Sequence, residues 1–257
     1  MTQTRHDTRT EGAQRAGWFD TSSQRSLETL ALGVGVVSFV VVALVALIAF
    51  GFGAAPISGP GSVGQFAALA SGVVAFVAVV AGRVAVRARG ARRRLGVLDY
   101  VDIAALAFAH AVIALLGWTL LAVILEQAFI GAEVFPLPVL VLSGASAAMS
   151  GYVALFSATH MDLQLLAAVL AVFLVFGVLA SMLTASDPDW WKDNLSALGM
   201  SSNVSAFAFN ITIIVAGFLV TTLARYATRG IPSANPHGVG RVRVCLIVVG
   251  VFLGLVG

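Results

Sequence analysis

The sequence predicts an all-α fold: a polytopic transmembrane helical bundle of seven hydrophobic segments, with one short interfacial helix on its outer surface. Three observations lead there. Only 11% of residues are charged, 59% are hydrophobic and mean hydropathy is +0.98. Soluble domains are about 25% charged, so a soluble fold could not solvate its surface with this supply. No Asp, Glu, Lys or Arg occurs from Thr29 to Gly82, and at roughly 20 apolar residues per crossing this run accommodates two helices and a turn. The arginines, finally, fall in three patches separated by pairs of apolar segments. A transmembrane β-barrel would need alternating segments of about 10 residues; these runs are continuous and rich in Ala, Leu and Val.

The segments are Leu27–Phe52, Val63–Gly82, Asp99–Leu125, Phe135–Ser157, Leu163–Thr184, Val204–Leu223 and Val244–Gly257. Residues 1–26 are polar and read as a mobile cytoplasmic tail. The first apolar run is too long for a signal-peptide core of about 7–15 residues, so it reads as a retained anchor. "GAAPISGPGS" separates the first two segments with the Gly and Pro of a turn. "THMD" separates the fourth and fifth, where Thr159 and Asp162 can cap the next helix. Residues 27–162 thus hold four segments and 163–257 three more. The last segment has 14 residues after Arg243 and would reach only about 21 Å, short of the ~30 Å apolar core. The expectation is a native chain that continues beyond Gly257.

Positive residues favour the cytoplasmic side of short loops. The tail carries Arg5, Arg9, Arg15 and Arg25. The second-to-third connection carries Arg83, Arg87, Arg89, Arg92, Arg93 and Arg94. Arg225, Arg229, Arg241 and Arg243 follow the sixth segment. Seven segments put every arginine on one side and leave only Lys192 on the other. The expected location is the plasma (inner) membrane, multi-pass, with the amino terminus in the cytoplasm. The arginines at 83–94 set this topology, and they could also hold anionic lipid headgroups.

"DPDWWKDNLSALGMSSN", residues 187–203, is the least apolar stretch of the second half. Ser186 or Asp187 suits an N-cap, Pro188 the first helical position and Gly199 the stop. Trp191, Leu195 and Leu198 share one helical face. The reading is a short amphipathic helix over Pro188–Leu198, parallel to the membrane, with Trp190 and Trp191 as interfacial anchors and the acids wet. Ser202 or Asn203 then caps the sixth segment. Asn194-Leu-Ser196 and Asn203-Val-Ser205 match the glycosylation pattern by chance, since the Ala/Arg/Gly/Val-rich composition looks bacterial.

The stretch "NLSALGMSSNVSAFAFNITIIVAG" resembles the bacterial membrane family called domain of unknown function 998, through Ser196, Leu198, Gly199, Phe209 and Asn210. More loosely it is similar to the Frag/DRAM/Sfk membrane family. The resemblance covers about 163–257 and implies a helical bundle, continuing past Gly257, with no activity attached. A faint internal repeat also shows: segments one to three and five to seven share one rhythm, with "RG" at 89–90 and 229–230.

Polar groups at membrane depth are costly and mark candidate sites. His110 lies 11 residues past Asp99, about 16 Å along the helix. Helical rotation places Asp99, Asp102, His110 and Gly117 on one stripe, able to conduct a proton or hold a polar ligand group. The plain alternative is a histidine bonded to a serine or a carbonyl, with both aspartates at the wet boundary. Asn210, Ser196 and Gly199 complete the candidate polar site. Ser143, Ala147 and Gly151 have the small-residue spacing of close helix packing.

No nucleophile–base motif, metal spacing or P-loop occurs, so no catalytic residue, metal or cofactor is assigned. The arginines lack interleaved aromatics, which argues against nucleic acid. Membrane lipid is the expected partner. Three functional readings follow. The first is non-enzymatic binding or movement of a hydrophobic or lipid-like ligand, in a cavity among segments three, four and six near His110 and Asn210. The second is a lipid-modifying enzyme using His110. The third is an assembly subunit pairing with other membrane proteins through Gly144 and Gly151.

Overall fold

A computed structural model describes residues 4–89, 96–187, 189–200, 203–227 and 236–256, with side chains from 27 onward apart from 88, 89, 98, 204, 236 and 237. Seven helices dominate: α1 (Thr4–Phe50), α2 (Val63–Arg89), α3 (Val97–Ala128), α4 (Pro136–Thr159), α5 (Leu163–Leu183), α6 (Val204–Ala227) and α7 (Pro236–Val256). Each is long and apolar enough to cross a membrane. The seven-segment reading therefore holds, with boundaries shifted by a few residues.

Two shifts matter. α1 extends back to Thr4, so its backbone is helical through most of the region read as a tail. α7 begins at Pro236 rather than Val244, which places Arg241 and Arg243 on the helix itself. At 1.5 Å per residue its 21 residues span about 31 Å.

The helix ends follow local chemistry. Gly51, at φ 59°, ends α1 in the left-handed conformation that disfavours side chains. Pro136 opens α4, where a missing N–H is harmless. Asp162 caps α5 by accepting the Leu165 N–H at 2.7 Å. Thr159, also expected to cap, bonds back to the Leu155 and Phe156 carbonyls instead. Asn203 caps α6, accepting the Ala206 N–H at 2.9 Å.

α4 is the central helix. It packs along both α1 and α2, which scarcely touch each other. Its small residues allow this: Gly144 lies under Phe39 of α1, and a Cβ at Gly151 would meet Val74 of α2 at 2.9 Å. Both glycines are buried within the monomer. α2 packs on α3, and α3 meets α5 and α6. α5 packs on α6, and α6 on α7. The proposed repeat fails at this level: α5 and α6 are direct neighbours, whereas α1 and α2 are bridged by α4.

The termini of α2 and α6 and the start of α3 meet at one end of the bundle, here the arginine end. At the opposite, tryptophan end, two connections form a sheet that the sequence did not suggest. Ala55–Pro56 (β1) pairs antiparallel with Glu133–Val134 (β2), Ala55 opposite Val134. Ala55 and Val63 pack there on Val139, with Phe50 and Val134 around them.

The surface stretch is not one α-helix. It forms two 3-10 turns, Trp190–Lys192 and Leu195–Gly199. Asn194 between them is extended, at φ −166° and ψ 166°. Its side chain accepts the Ala197 N–H at 3.1 Å and so starts the second turn. The apolar spacing was read correctly as a face, but an Asn whose side chain bonds the backbone three residues on favours a cap over a helix interior. Pro188, the expected first residue, lies outside the described residues. Asp189, Lys192 and Asp193 are exposed, as expected, and Leu198 is buried.

Candidate functional site

His110 projects from the middle of α3 and is 7% exposed. Its Nδ1 lies 2.8 Å from the Leu106 carbonyl one turn back. A carbonyl only accepts, so Nδ1 carries a hydrogen. Its Nε2 lies 2.9 Å from Ser157 Oγ on α4; with a neutral ring, Ser157 donates to it. Both ring nitrogens are thus engaged, one by a serine across the helix interface. The polar atoms of the pair are satisfied where an unpaired group would be expensive.

The ring borders a cleft of about 360 Å³. α3 forms its floor through Ile113, Ala114 and Gly117; α4 supplies Met149, Ser150 and Val153, and α5 supplies Phe176. The cleft exists because α4 and α5, joined by the three residues 160–162, make almost no contact along their lengths. Ala114 and Gly117 are the small residues that α3 presents to it. Gly117 adds no side chain to it, and a Cβ there would stand in ordinary contact 3.8 Å from the Phe176 ring. Met149 and Val153 are half or more exposed at the rim, so the cleft opens sideways, toward the surface that apolar helices present to lipid. Polar atoms are few: Trp118 Nε1 donates to Ser150 Oγ at 2.9 Å, and beyond that bond lies the imidazole edge of His110.

The expected stripe of Asp99, Asp102, His110 and Gly117 divides into three environments. His110 faces α4, and Gly117 faces the cleft and α5. Asp99 and Asp102 face α6 at the arginine end. There Arg225 spans both, with Nη1 2.7 Å from Asp102 Oδ2 and Nη2 3.1 Å from Asp99 Oδ1. Thr222 donates to Asp102 Oδ1 at 2.8 Å, and the Gly96 N–H donates to Asp99 Oδ2 at 3.1 Å. Rotation by about 100° per residue aligns positions seven or eleven apart only on a perfectly straight wheel; neighbours on three different helices decided the outcome.

Asn210, Ser196 and Gly199 do not join His110. The cavity expected among the third, fourth and sixth segments lies instead among the third, fourth and fifth, and Asn210 is not part of it. Asn210 Nδ2 donates to the Gly199 carbonyl at 3.2 Å. A Cβ on Gly199 would fall 2.5 Å from Asn210 Oδ1 and 2.9 Å from the Phe209 ring. The Ser-x-Leu-Gly turn and the Phe-Asn pair of α6 therefore form one docking joint, with Leu198 buried in it. Ser196 donates to Asn194 within the turn. Trp191 is exposed and Trp190 half-buried, and Lys192 lies 5.5 Å from the Trp191 ring.

Sequence reasoning missed Ser157, Ser150, Trp118 and Phe176. A signal existed: Ser150 and Ser157 are seven apart on one helix face, as close-packing polar residues are, but their partners on α3 could not be read from one chain. No family model, no curated protein and no solved structure matches this chain.

Proposed function

We propose that this protein binds or moves a hydrophobic, lipid-like ligand, without enzymatic chemistry, through the cleft bounded by α3, α4 and α5. The observation that carries this reading is the cleft itself: apolar, laterally open and lined on α3 by Ala114 and Gly117 among larger apolar residues. Ligand sites are concave and mostly apolar, with a few polar groups that fix orientation; the His110 edge and the Trp118–Ser150 bond supply those here. The orientation belongs to the same proposal, with the arginine end and the amino terminus in the cytoplasm of a bacterial inner membrane. Residues 163–257 would then be a variant of the domain-of-unknown-function-998 pattern, in which the Gly199–Asn210 joint is structural.

A brominated acyl chain tests the reading. With Trp18, Trp190 and Trp191 replaced by Phe, Trp118 is the single reporter. Bilayers of brominated phosphatidylcholine should quench it strongly, and Gly117→Phe should fill the cleft and remove most of that quenching. Equal quenching in both proteins would sink the proposal.

The enzymatic reading has one specific observation in its favour, the 2.9 Å contact between Ser157 Oγ and His110 Nε2. A nucleophile–base pair has this geometry. The third group, however, is a backbone carbonyl rather than a carboxylate. Labelling of Ser157 by a fluorophosphonate would move the protein into the enzyme class. The assembly reading has lost its feature, since Gly144 and Gly151 are used inside the monomer.

A further inference from the structure

The charges at the arginine end do not balance. Arg87 and Arg225 gather there around Asp99 and Asp102, and Arg83 lies against Tyr226, the residue after Arg225. Arg225 takes both carboxylates at short range, and Thr222 and the Gly96 N–H take the remaining oxygens. Arg87 is left with Asp99 Oδ1 at 3.6 Å, beyond a good hydrogen bond. Among the described residues the partners of Arg83 are neutral, the Tyr226 hydroxyl at 2.7 Å and the Ala158 carbonyl at 3.4 Å. Among these five described side chains, three guanidinium groups stand against two carboxylates.

The surplus has an address. Arg83 Nε and Arg87 Nη1 are buried donors with no hydrogen-bond partner among the described residues. They sit four residues apart, hence on one face of α2. Buried polar groups in native proteins nearly always have a partner, and an exception calls for an ion or a water. The Arg87 side chain is 31% exposed, which gives an approach from the membrane surface.

We propose that a phosphate group binds at the arginine end of α2, held by Arg87 and backed by Arg83. A phosphate oxygen is an acceptor-only anion that matches the guanidinium fork. Basic pockets between transmembrane helices at this level hold phospholipid headgroups. The chemistry is shared by an anionic lipid and by free phosphate. The site shares no lining residue with the cleft and stands whether or not the cleft binds ligand.

The test uses the full chain in nanodiscs of phosphatidylcholine, with and without phosphatidylglycerol, and in detergent with and without inorganic phosphate. Ligand at about 100-fold over its dissociation constant should raise the wild-type melting midpoint by roughly 5–10 °C. Arg87→Gln should lose most of that shift. Arg241→Gln removes the same charge from an exposed site on α7 and should keep it. A shift with phosphatidylglycerol alone identifies a lipid headgroup; a shift with phosphate as well identifies the anion itself. Should Arg87→Gln fail to fold, Arg87→Lys retains the charge without the fork and should still shrink the shift. No shift in wild type, or equal shifts in wild type and Arg87 variants, overturns the site. Gly117→Phe should leave this shift intact, which separates the outcome from that of the cleft.

Discussion

Replacing Arg225 with Gln tests one of the contacts that join α6, and through it α7, to α3. Arg225 reaches Asp102 at 2.7 Å and Asp99 at 3.1 Å. At an effective dielectric of about 20, charges ~3 Å apart attract by roughly 5 kcal/mol per pair. Desolvation offsets most of this. The three side chains are 14% to 23% exposed, which places them between two limits. An exposed pair contributes under about 1 kcal/mol, and breaking a buried one costs about 3–5 kcal/mol. Arg225→Gln should therefore cost about 2–3 kcal/mol.

The two aspartates should not share that cost equally. Without Arg225, Asp99 keeps the Gly96 N–H and gains Arg87 as its nearest cation, whereas Asp102 keeps only Thr222. Double-mutant cycles should give a coupling of about 1.5–2 kcal/mol between Arg225→Gln and Asp102→Asn, and about half as much with Asp99→Asn. Equilibrium unfolding in mixed micelles with increasing dodecyl sulfate provides the free energies. A coupling with Asp102 below about 0.5 kcal/mol, or one smaller than that with Asp99, would refute this account of the joint.

Two further outcomes are expected. A Cβ on Gly217 would lie 2.5 Å from the Gly250 carbonyl oxygen and 2.8 Å from Gly254 N; backbone cannot give way, so Gly217→Ala should displace α7 and cost about 1–3 kcal/mol, whereas Gly240→Ala meets nothing within 4 Å and should be neutral or slightly stabilising, both read by thermal unfolding in detergent. Ser157→Ala removes the Nε2 partner of His110 and should cost only about 0.5–1.5 kcal/mol, because hydrogen bonds between membrane helices average about 0.6; a loss of several kcal/mol in the same assay would mean that the pair anchors far more than one interface.

Apolar length and arginine placement alone determined the seven crossings. Both are one-dimensional properties: a span of about 20 apolar residues has few choices in lipid, because its backbone must satisfy itself. Caps were legible for the same local reason, and Asp162 and Asn203 occupy the positions their chemistry favours. His110 stood out because polar side chains are rare at that depth. The tertiary structure alone decided its partners: Ser157, the cleft beside Phe176, and the separation of His110 from Asp99 and Asp102. The helix wheel supplies a direction without saying which neighbour stands there, and in lipid no hydrophobic gradient selects an inward face. Close approach of small residues selects it instead, as at Gly144 under Phe39 and Gly217 against Gly250. Complementarity between two surfaces is a pairwise property, which one strand of sequence does not contain; the same holds for the two-residue strands at Ala55 and Glu133, too short to carry a period of their own.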